Sequence, residues 1–349
     1  MKVSIWHNNA DIRIADVPTP EPGPREILVK VISCGICGSD IVEWYRLPRS
    51  PLVQGHEMGG DVVKVGEAVK GLRPGDRIFV APKVPCLKCR YCAQGHYPVC
   101  SSVKVRLPGA FAEYVLVPGE LVDQGVYRLP DTISYDQSTF IEPLACVIRA
   151  QNMAAVKTAQ WILVMGCGMS GLLHIKLAKA KGCRIVATDN NKDRLKFAAK
   201  VGADLTFDAA DDVPGRLEAE LHRKADVVIL CTSALAAIDQ AWKSVDKGGT
   251  VVFFAVPGPG QDVVIPIHDF WMKEIRVLTS YYCGPPDIKE ALALLAARTI
   301  AVDDLITHRL PLEETAEGFR LVVEGKESIK VIIKPHGTGG APGPAQEGS

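Results

Sequence analysis

The fold is decided by the stretch WILVMGCGMSG, residues 161–171. Its five leading apolar residues predict a buried strand, and three glycines then lead directly into a helical stretch. Gly166 permits a tight turn, Gly168 lets the backbone approach a pyrophosphate, and Gly171 allows the helix to pack closely on the strand. The helix N-terminus offers unpaired N–H groups to phosphates. The stretch therefore predicts a dinucleotide site, with a glycine-rich turn that binds nothing as the alternative.

On both sides of this stretch the pattern extends to whole domains. Strands and helices alternate between residues 161 and 255, which predicts a doubly wound parallel sheet of the Rossmann type. The predicted strands are Trp161–Met165, Arg184–Thr188, Asp226–Leu230 and Thr250–Phe254, with helices at Leu172–Lys181 and Lys192–Val201. Before residue 130 short β-rich stretches are cut by Gly and Pro, at Ile27–Ile32, Gly60–Val65, Arg77–Val80 and Ala112–Val117. After Pro285-Pro286 we expect a helix, Ile288–Ala297, and a closing strand, Ile329–Ile333. The fold class is α/β with a second, β-rich domain.

The second predicted strand of the sheet indicates which dinucleotide binds. Asp189 follows the glycine turn at about the 20-residue offset of an acid that bonds the ribose 2′-hydroxyl and repels a 2′-phosphate. We therefore expect NAD rather than NADP. Lys192 and Arg194 are cations that count against this preference, although a solvated helix face is their favoured role. Further cofactor contacts are expected from Met169, Ser170, Asn190, Arg194, Cys231 and Thr232.

Composition limits the class of protein. A chain of 349 residues exceeds the usual single core, so two domains that share one active site are expected. Lys and Arg total 40, as do Asp and Glu, which argues against a nucleic-acid or anionic-membrane partner and favours a small-molecule ligand. With no signal core and no apolar run of spanning length, the expected compartment is the cytoplasm. Eleven cysteines in that compartment indicate metal ligation or core packing rather than disulfides.

Four of the cysteines are closely spaced, at Cys86, Cys89, Cys92 and Cys100. Such spacing predicts a closed tetrahedral zinc site, which has no position for substrate and is therefore structural. An iron–sulfur cluster is disfavoured because its bacterial run would continue after three residues to a Cys followed by Pro. Four buried thiols without a metal are disfavoured because the surrounding segment is polar.

Three further segments carry metal-ligating residue types: Cys34-Gly35-Ile36-Cys37-Gly38-Ser39-Asp40, Gly55-His56-Glu57 and Ile141-Glu142-Pro143-Leu144. Taken singly, each His or Cys is more often structural, and the Cys34–Cys37 pair is also compatible with a redox motif. Together with the glycine turn and the four-cysteine lobe, they resemble the zinc-containing medium-chain dehydrogenase/reductase family, especially its sorbitol (polyol) dehydrogenase branch. The resemblance covers almost the whole chain, in the family's order of motifs.

The resemblance implies a site and a reaction. Cys37 and His56 would bind a catalytic zinc, with Glu57 and Glu142 sharing the remaining protein position directly or through water. Zinc in such an open site polarises an alcohol, which loses its proton near neutral pH and gives hydride to the nicotinamide. Asp40 would orient His56, and Ser39 would pass the alcohol proton outward. Two zinc ions per chain, one catalytic and one structural, are expected, together with NAD.

The resemblance also implies a domain plan and an assembly. It places a GroES-like catalytic domain at residues 1–146 with the zinc lobe at 86–100, a Rossmann domain at 147–283, a return to the catalytic domain at 284–335 and a disordered tail at 336–349. A homotetramer or homodimer built through the nucleotide domains is expected.

Two departures from the family pattern concern the proton and the substrate. Val42 stands where many members continue the relay with histidine, so Glu43, Tyr45, water or the glutamates must carry the proton. The polyol branch presents Arg-Tyr-Cys to the substrate, whereas this chain has Tyr281-Tyr282-Cys283. With Trp44 and Leu47 also near the pocket, we expect a less hydroxylated or larger secondary alcohol than sorbitol, and packing is the equal alternative for these aromatic residues.

The sequence also allows alternative functions to be named. Within the family, an L-threonine 3-dehydrogenase-like or other amino- or hydroxy-alcohol dehydrogenase is the alternative. The four candidate ligands disfavour a zinc-free quinone or enoyl reductase, because those reactions do not use a metal site. They also disfavour a catalytically inactive NAD-binding homologue, which would not require them. A cysteine-rich nucleic-acid-binding module is disfavoured by the neutral charge.

Overall fold

The computed structural model describes residues 1–102 and 105–337, which form two compact units. The first unit contains Met1–Lys83, Val105–Thr139 and the chain from Ile306 onward, and the second contains the lobe that begins at Val84 and the segment Phe140–Leu305. No described helix combines the length and the apolar character needed to cross a membrane.

The strands are β1 Lys2–Asn8, β2 Asp11–Asp16, β3 Ile27–Gly35, β4 Leu52–Val53, β5 Glu57–Val65, β6 Arg77–Val80, β7 Tyr114–Val117, β8 Val126–Arg128, β9 Trp161–Met165, β10 Arg184–Asp189, β11 Leu205–Asp208, β12 Ala225–Leu230, β13 Val245–Phe253, β14 Arg276–Thr279, β15 Ile306–Pro311 and β16 Lys330–Lys334. The α-helices are α1 Glu43–Arg46, α2 Arg90–Ala93, α3 Gly119–Gln124, α4 Tyr135–Ser138, α5 Ile141–Met153, α6 Met169–Ala180, α7 Lys192–Lys200, α8 Val213–Leu221, α9 Leu235–Ser244, α10 Ile267–Lys273, α11 Pro285–Ala296 and α12 Thr315–Glu324.

The first unit is built on a largely antiparallel sheet in the order β15-β16-β3-β5-β6-β8, with β7 paired to β3. A smaller sheet has the order β2-β1-β4. Because β16 pairs with β3 and β3 pairs with β5, Gly35 lies opposite Ile332 on one side and Glu57 on the other. Strand β16 thereby lies one strand away from the start of β5, where the candidate metal ligands lie, with Gly35 of β3 between them.

The second unit contains a parallel sheet in the order β11-β10-β9-β12-β13-β14. The strand order reverses beside β9, and ligands of such sheets bind at the carboxyl ends of the strands at this point. Strand β9 is continuously apolar and buried, and β12 is so except at Asp226, as expected for a sheet covered on both faces. The predicted combination of a β-rich region with a parallel α/β sheet is confirmed. The edge strands β11 and β14 were not predicted, since each is four residues long and only partly buried.

The compact units differ from the predicted domain boundaries in three places. The four-cysteine lobe groups with the second unit, and so does all of α5, which begins before the predicted boundary at residue 146. Helix α11 also stays in the second unit because it packs along α5, so the return to the first unit comes at residue 306 rather than 284. Of the predicted tail, His336 is described and its Nε2 lies 3.0 Å from the Glu113 carbonyl oxygen. Residues 338–349 lie outside the described residues.

Candidate metal centres and nucleotide site

In the first unit the side chains of Cys37, His56 and Glu57 converge, with one potential ligand atom of each within 4.8 Å of the others. Cys37 follows the end of β3, and His56 and Glu57 stand at the beginning of β5. Gly55 makes the approach possible, because its φ is +96° and a Cβ there would lie 2.8 Å from the Phe111 backbone nitrogen.

Glu57 is fully buried, and its Oε2 accepts an ion-paired hydrogen bond from the equally buried Lys330 of β16. A Cβ at Gly35 would lie within 2.5 Å of both charged groups, so glycine is required where the pair crosses β3. The other carboxylate oxygen, Oε1, is buried and has no hydrogen-bond partner. An orphaned anionic oxygen in a protein interior costs free energy unless a cation satisfies it.

Asp40 organises the loop around these ligands. Its buried carboxylate accepts a hydrogen bond from the Cys37 backbone N–H at 3.0 Å, and its Oδ1 lies 3.2 Å from Nδ1 of His56. Burial opposes the charge of Asp40, but His56 and Arg46 hold its pKa below the usual range. Burial likewise disfavours charge on His56, yet Asp40 and Cys37 raise the pKa of the imidazole well above its usual value. With Nδ1 directed at Asp40, Nε2 of His56 is the nitrogen left for a ligand.

Arg46 is a residue of this site that the sequence did not reveal. Its guanidinium donates to Asp40 Oδ1 at 2.8 Å and to both Oγ and the carbonyl of Ser39 at 3.0 Å. The Ser39 hydroxyl donates in turn to Cys37 Sγ at 3.4 Å. Arg46 lies seven residues after Ser39, and the chain between them is a loop and the start of the short helix α1. A contact of this kind leaves no periodic pattern in the sequence.

Two of the residues predicted to replace the missing histidine of the relay have other contacts. Glu43 accepts a hydrogen bond from the Asn9 backbone N–H at 2.9 Å, and the Tyr45 ring lies beneath the Arg46 and Arg49 guanidinium groups. The guanidinium of Arg46 has only donor groups. The carriers of a proton beyond Ser39 stay a prediction.

In the second unit, Sγ atoms of Cys86, Cys89, Cys92 and Cys100 all lie within 4.8 Å of one another. The Cys89–Cys92 and Cys89–Cys100 Sγ distances are 3.5 and 3.9 Å, close to the edge of about 3.8 Å for a tetrahedral zinc site with 2.3 Å bonds. Backbone N–H groups donate to the sulfurs, and those of Cys92 and Ser101 lower the pKa of Cys89 to about 5, whereas burial raises the pKa of Cys92 to about 12. The spacing of the four sulfurs is therefore the observation that favours a metal ion.

The glycine turn has the geometry that its sequence requires. Gly166 adopts φ +98°, and a Cβ at Gly171 would lie 1.9 Å from the Gly166 carbonyl oxygen. Helix α6 begins at Met169, so Ser170 and Gly171 fall in its first turn. A Cβ at Gly168 would meet only Arg194, whose Nη1 lies 3.8 Å away, and the space beside this backbone is otherwise open.

Asp189 and Arg194 border this turn. The Asp189 carboxylate accepts hydrogen bonds from the Cys167 and Asn191 backbone N–H groups, at 2.7 and 2.8 Å. Nε of Arg194 is buried without a hydrogen-bond partner. Across the switch point, the Cys231 N–H donates to the Met165 carbonyl at 2.8 Å, which places Cys231 and Thr232 against Gly166. Asn190 is exposed at the end of β10.

Glu142 belongs to the second unit, where it forms a separate group with Cys146 and Cys283. The ligand atoms of the three lie within 4.8 Å of one another, and Cys146 Sγ is 3.5 Å from Glu142 Oε1. Cys146 was not singled out in the sequence, although its position four residues after Glu142 on a helix places the two on one face. A role for Glu142 beside Cys37 and His56 stays a prediction.

Comparisons with known proteins give two family matches and a set of relatives. Residues 23–131 match the model of the alcohol dehydrogenase GroES-like domain, and residues 171–297 match the model of the zinc-binding dehydrogenase. Sorbitol dehydrogenase of Mus musculus is 33% identical over 95% of this chain and 94% of its own length.

Solved structures agree in fold. A zinc-binding dehydrogenase from Sinorhizobium meliloti, bound to NADP, is 31% identical with a TM-score of 0.86, over 96% of this chain and 99% of the other. The 2R,3R-butanediol dehydrogenase of Bacillus subtilis is 29% identical with a TM-score of 0.83, again over 96% of this chain and 99% of the other.

Proposed function

The chain belongs to the zinc-binding alcohol dehydrogenase family, near its sorbitol dehydrogenases, and on this premise we propose that it oxidises a secondary alcohol or polyol with NAD at a zinc ion held by Cys37, His56 and Glu57. The observation that carries the proposal is the buried Oε1 of Glu57, which has no hydrogen-bond partner and lies in a group with a thiol and an imidazole. The reaction is reversible hydride transfer between a CH–OH group and the nicotinamide.

The donor set fits zinc. A thiolate, an imidazole and a carboxylate leave the fourth tetrahedral position open, as catalytic zinc sites require. Burial raises the pKa of the Cys37 thiol, and a divalent cation offsets this by stabilising the thiolate. When bound, zinc acts as a Lewis acid that eases loss of the alcohol proton. We assign direct ligation to Glu57, and Glu142 remains the alternative ligand that the resemblance implied.

The protein residues then have distinct tasks. Asp40 fixes the ring of His56 through Nδ1, and Arg46 holds Asp40 and Ser39 in place. The Ser39 hydroxyl, which receives a hydrogen bond from Arg46, has its own proton free to point toward Cys37 Sγ or toward a substrate oxygen. We propose that Ser39 exchanges the alcohol proton and that water carries it outward.

For the cofactor we propose NAD, bound across the turn at Gly166–Gly171. Asp189 presents its carboxylate at the end of β10, where it would bond the ribose and repel a 2′-phosphate. Arg194, whose Nε has no partner and whose Nη1 is the side-chain atom near Gly168, is the group that would attract the phosphates. The Sinorhizobium meliloti structure carries NADP, so the preference is a property to be measured in this chain.

The substrate proposal is a secondary alcohol with fewer hydroxyls than sorbitol. Tyr281 replaces the arginine expected by the polyol branch and is 54% exposed. The likeness to butanediol dehydrogenase supports a small vicinal diol as a test substrate. An amino- or hydroxy-alcohol such as L-threonine is the second substrate class to test.

The four-cysteine lobe would hold a second, structural zinc. Its sulfur–sulfur distances suit such an ion, and its four protein ligands leave no position for substrate.

We also propose a homo-oligomer and a cytoplasmic location. Strand β14 is an edge of the parallel sheet, and the nearby Val264, Trp271 and Met272 are 86, 74 and 66% exposed. Exposed apolar side chains and the edge of a sheet each favour contact with a second copy of the chain.

The proposed function is tested by metal analysis together with NAD reduction over a panel of sorbitol, xylitol, 2,3-butanediol, L-threonine and simple secondary alcohols. We expect two or more zinc ions per chain and fastest turnover with a diol or simple secondary alcohol. Cys37→Ser should abolish turnover and remove one ion. Full activity of the Cys37→Ser variant would contradict the metal assignment, and faster turnover of sorbitol would contradict the substrate proposal.

A further inference from the structure

Two cysteines of the second unit lie side by side and have no chemical step in the proposed reaction. Cys146 lies on α5, and Cys283 lies in the segment that leads into α11. Their Sγ atoms lie within 4.8 Å of each other. Cys283 is buried, whereas Cys146 is partly exposed. The pair therefore combines a cysteine that a solute can reach with a buried neighbour of the same chemistry.

The backbone on both sides of the pair is held in place. Helix α11 packs along α5. Tyr282 adopts a left-handed φ of +57°, and the Gly284 N–H donates to the Asp287 carboxylate at 2.7 Å. Gly284 packs so closely on Tyr97 of the four-cysteine lobe that a Cβ there would lie 2.3 Å from the tyrosine ring. Since the segment before α11 is fixed against α5, each thiol meets the other at a high effective concentration.

We propose that Cys146 and Cys283 form a redox-active pair that a hydroperoxide converts into a disulfide and that an added thiol restores. The peroxide O–O bond breaks as one oxygen adds to Cys146 Sγ, which gives a sulfenic acid and releases an alcohol, or water from hydrogen peroxide. The Cys283 sulfur then attacks Cys146 Sγ, so that an S–S bond forms and the hydroxyl leaves as water with the Cys283 proton. The two sulfurs together lose two electrons, which the hydroperoxide accepts.

A disulfide at this position would change the surroundings of Glu142. In the reduced pair, Cys146 Sγ donates a hydrogen bond to Glu142 Oε1 at 3.5 Å, because the two residues stand four apart on one face of α5. A sulfur in a disulfide has no proton to donate, so the buried carboxylate loses this donor on oxidation. We therefore expect slower alcohol oxidation in the oxidised protein. This consequence rests on the proposed function, in which Glu142 is an alternative zinc ligand, whereas the disulfide itself does not.

Peptide mapping tests the disulfide directly. The zinc-loaded full chain is treated with equimolar hydrogen peroxide, its free thiols are alkylated, and it is digested without reduction for mass spectrometry. The parent should give two peptides joined through Cys146 and Cys283, and dithiothreitol should separate them. Turnover should fall in proportion to the linked fraction and return with dithiothreitol. Absence of the linked peptides would overturn the proposal, and unchanged turnover of fully linked protein would overturn the connection to Glu142.

The variant C146S removes the accessible sulfur but keeps a hydroxyl that can donate to Glu142. Before oxidation it should turn over like the parent. After peroxide it should give no peptide linked to Cys283 and no inhibition that dithiothreitol reverses. The matched control is C183S, since Cys183 is buried in the same unit and outside every ligand group, and it should behave like the parent in both measurements. Reversible inhibition that persists in C146S would show that another cysteine responds, and would refute the assignment.

The two readouts separate this inference from the proposed function. If the proposed function is wrong, the untreated parent oxidises no alcohol of the panel, yet the peptides of Cys146 and Cys283 are still found linked after peroxide. If the inference is wrong, the untreated parent oxidises alcohols and no linked peptides form.

Discussion

Replacing Lys330 by methionine should destabilise the protein by about 3–5 kcal/mol, the usual cost of removing one partner from a buried ion pair. Lys330 and Glu57 are both fully buried, and Glu57 Oε1 already has no hydrogen-bond partner. Without Lys330 the fully buried Glu57 carboxylate would have no counter-charge for Oε2 and no hydrogen-bond partner for Oε1, which is the situation that carries this cost.

The effect of K330M is measured against the parent protein at pH 7. Urea unfolding of metal-depleted protein, followed by tryptophan fluorescence, gives the free energies. The double variant K330M/E57Q replaces the pair by neutral groups of similar size and should recover most of the loss. A K330M variant within 1 kcal/mol of the parent at pH 7, or a double variant no more stable than K330M, would refute the argument.

Four further outcomes are expected. Burial lowers the pKa of His174 to about 3, so the free energy of unfolding should fall as pH falls from about 6.5 toward 3, by about 2 kcal/mol between pH 7 and 5. In denaturant unfolding, H174Q should lack this dependence on pH, and an equal dependence in the variant and the parent would contradict the expectation. Asp189→Ala removes the acceptor of the buried Cys167 N–H and should lower the free energy of unfolding by about 1–3 kcal/mol. It should also relax the preference for NAD, and an unchanged ratio of kcat/KM for NAD and NADP would refute the cofactor role. Cys89→Ala should remove one zinc per chain and lower the Tm, and unaltered metal content and Tm would show that the lobe binds no ion. Trp271→Glu places a charge on the exposed apolar surface and should yield a lower mass by light scattering, whereas an unchanged mass would place any oligomer contact elsewhere.

Much of the fold was predictable because its signals are local. The strand from Trp161 to Met165 and its glycine turn occupy eleven consecutive residues, and Gly166 and Gly171 prove to be required by a positive φ and a close backbone approach. The four cysteines of the lobe are equally close in sequence. The family assignment followed from such local motifs.

The remaining features depend on contacts between distant segments. Lys330 lies in a closing strand that was predicted, yet nothing in the sequence connects it to Glu57. Arg46 contacts Ser39 and Asp40 across a loop, and a loop has no periodic sequence pattern from which the contact could be predicted. Cys283 was noted only as part of a substrate triplet, because its approach to Cys146 arises from the packing of α11 on α5. Such pairings follow from topology rather than from spacing.

The ion pair between β5 and β16 has a consequence for synthesis on the ribosome. Its two partners are 273 residues apart, so at about 5–20 residues per second Glu57 is made roughly 14–55 s before Lys330. The edge of β3 that pairs with β16 stays unpaired throughout the same interval. The second unit, whose strands all precede residue 306, can therefore form first, and the Glu57 carboxylate acquires its counter-charge only after residue 330 has been made.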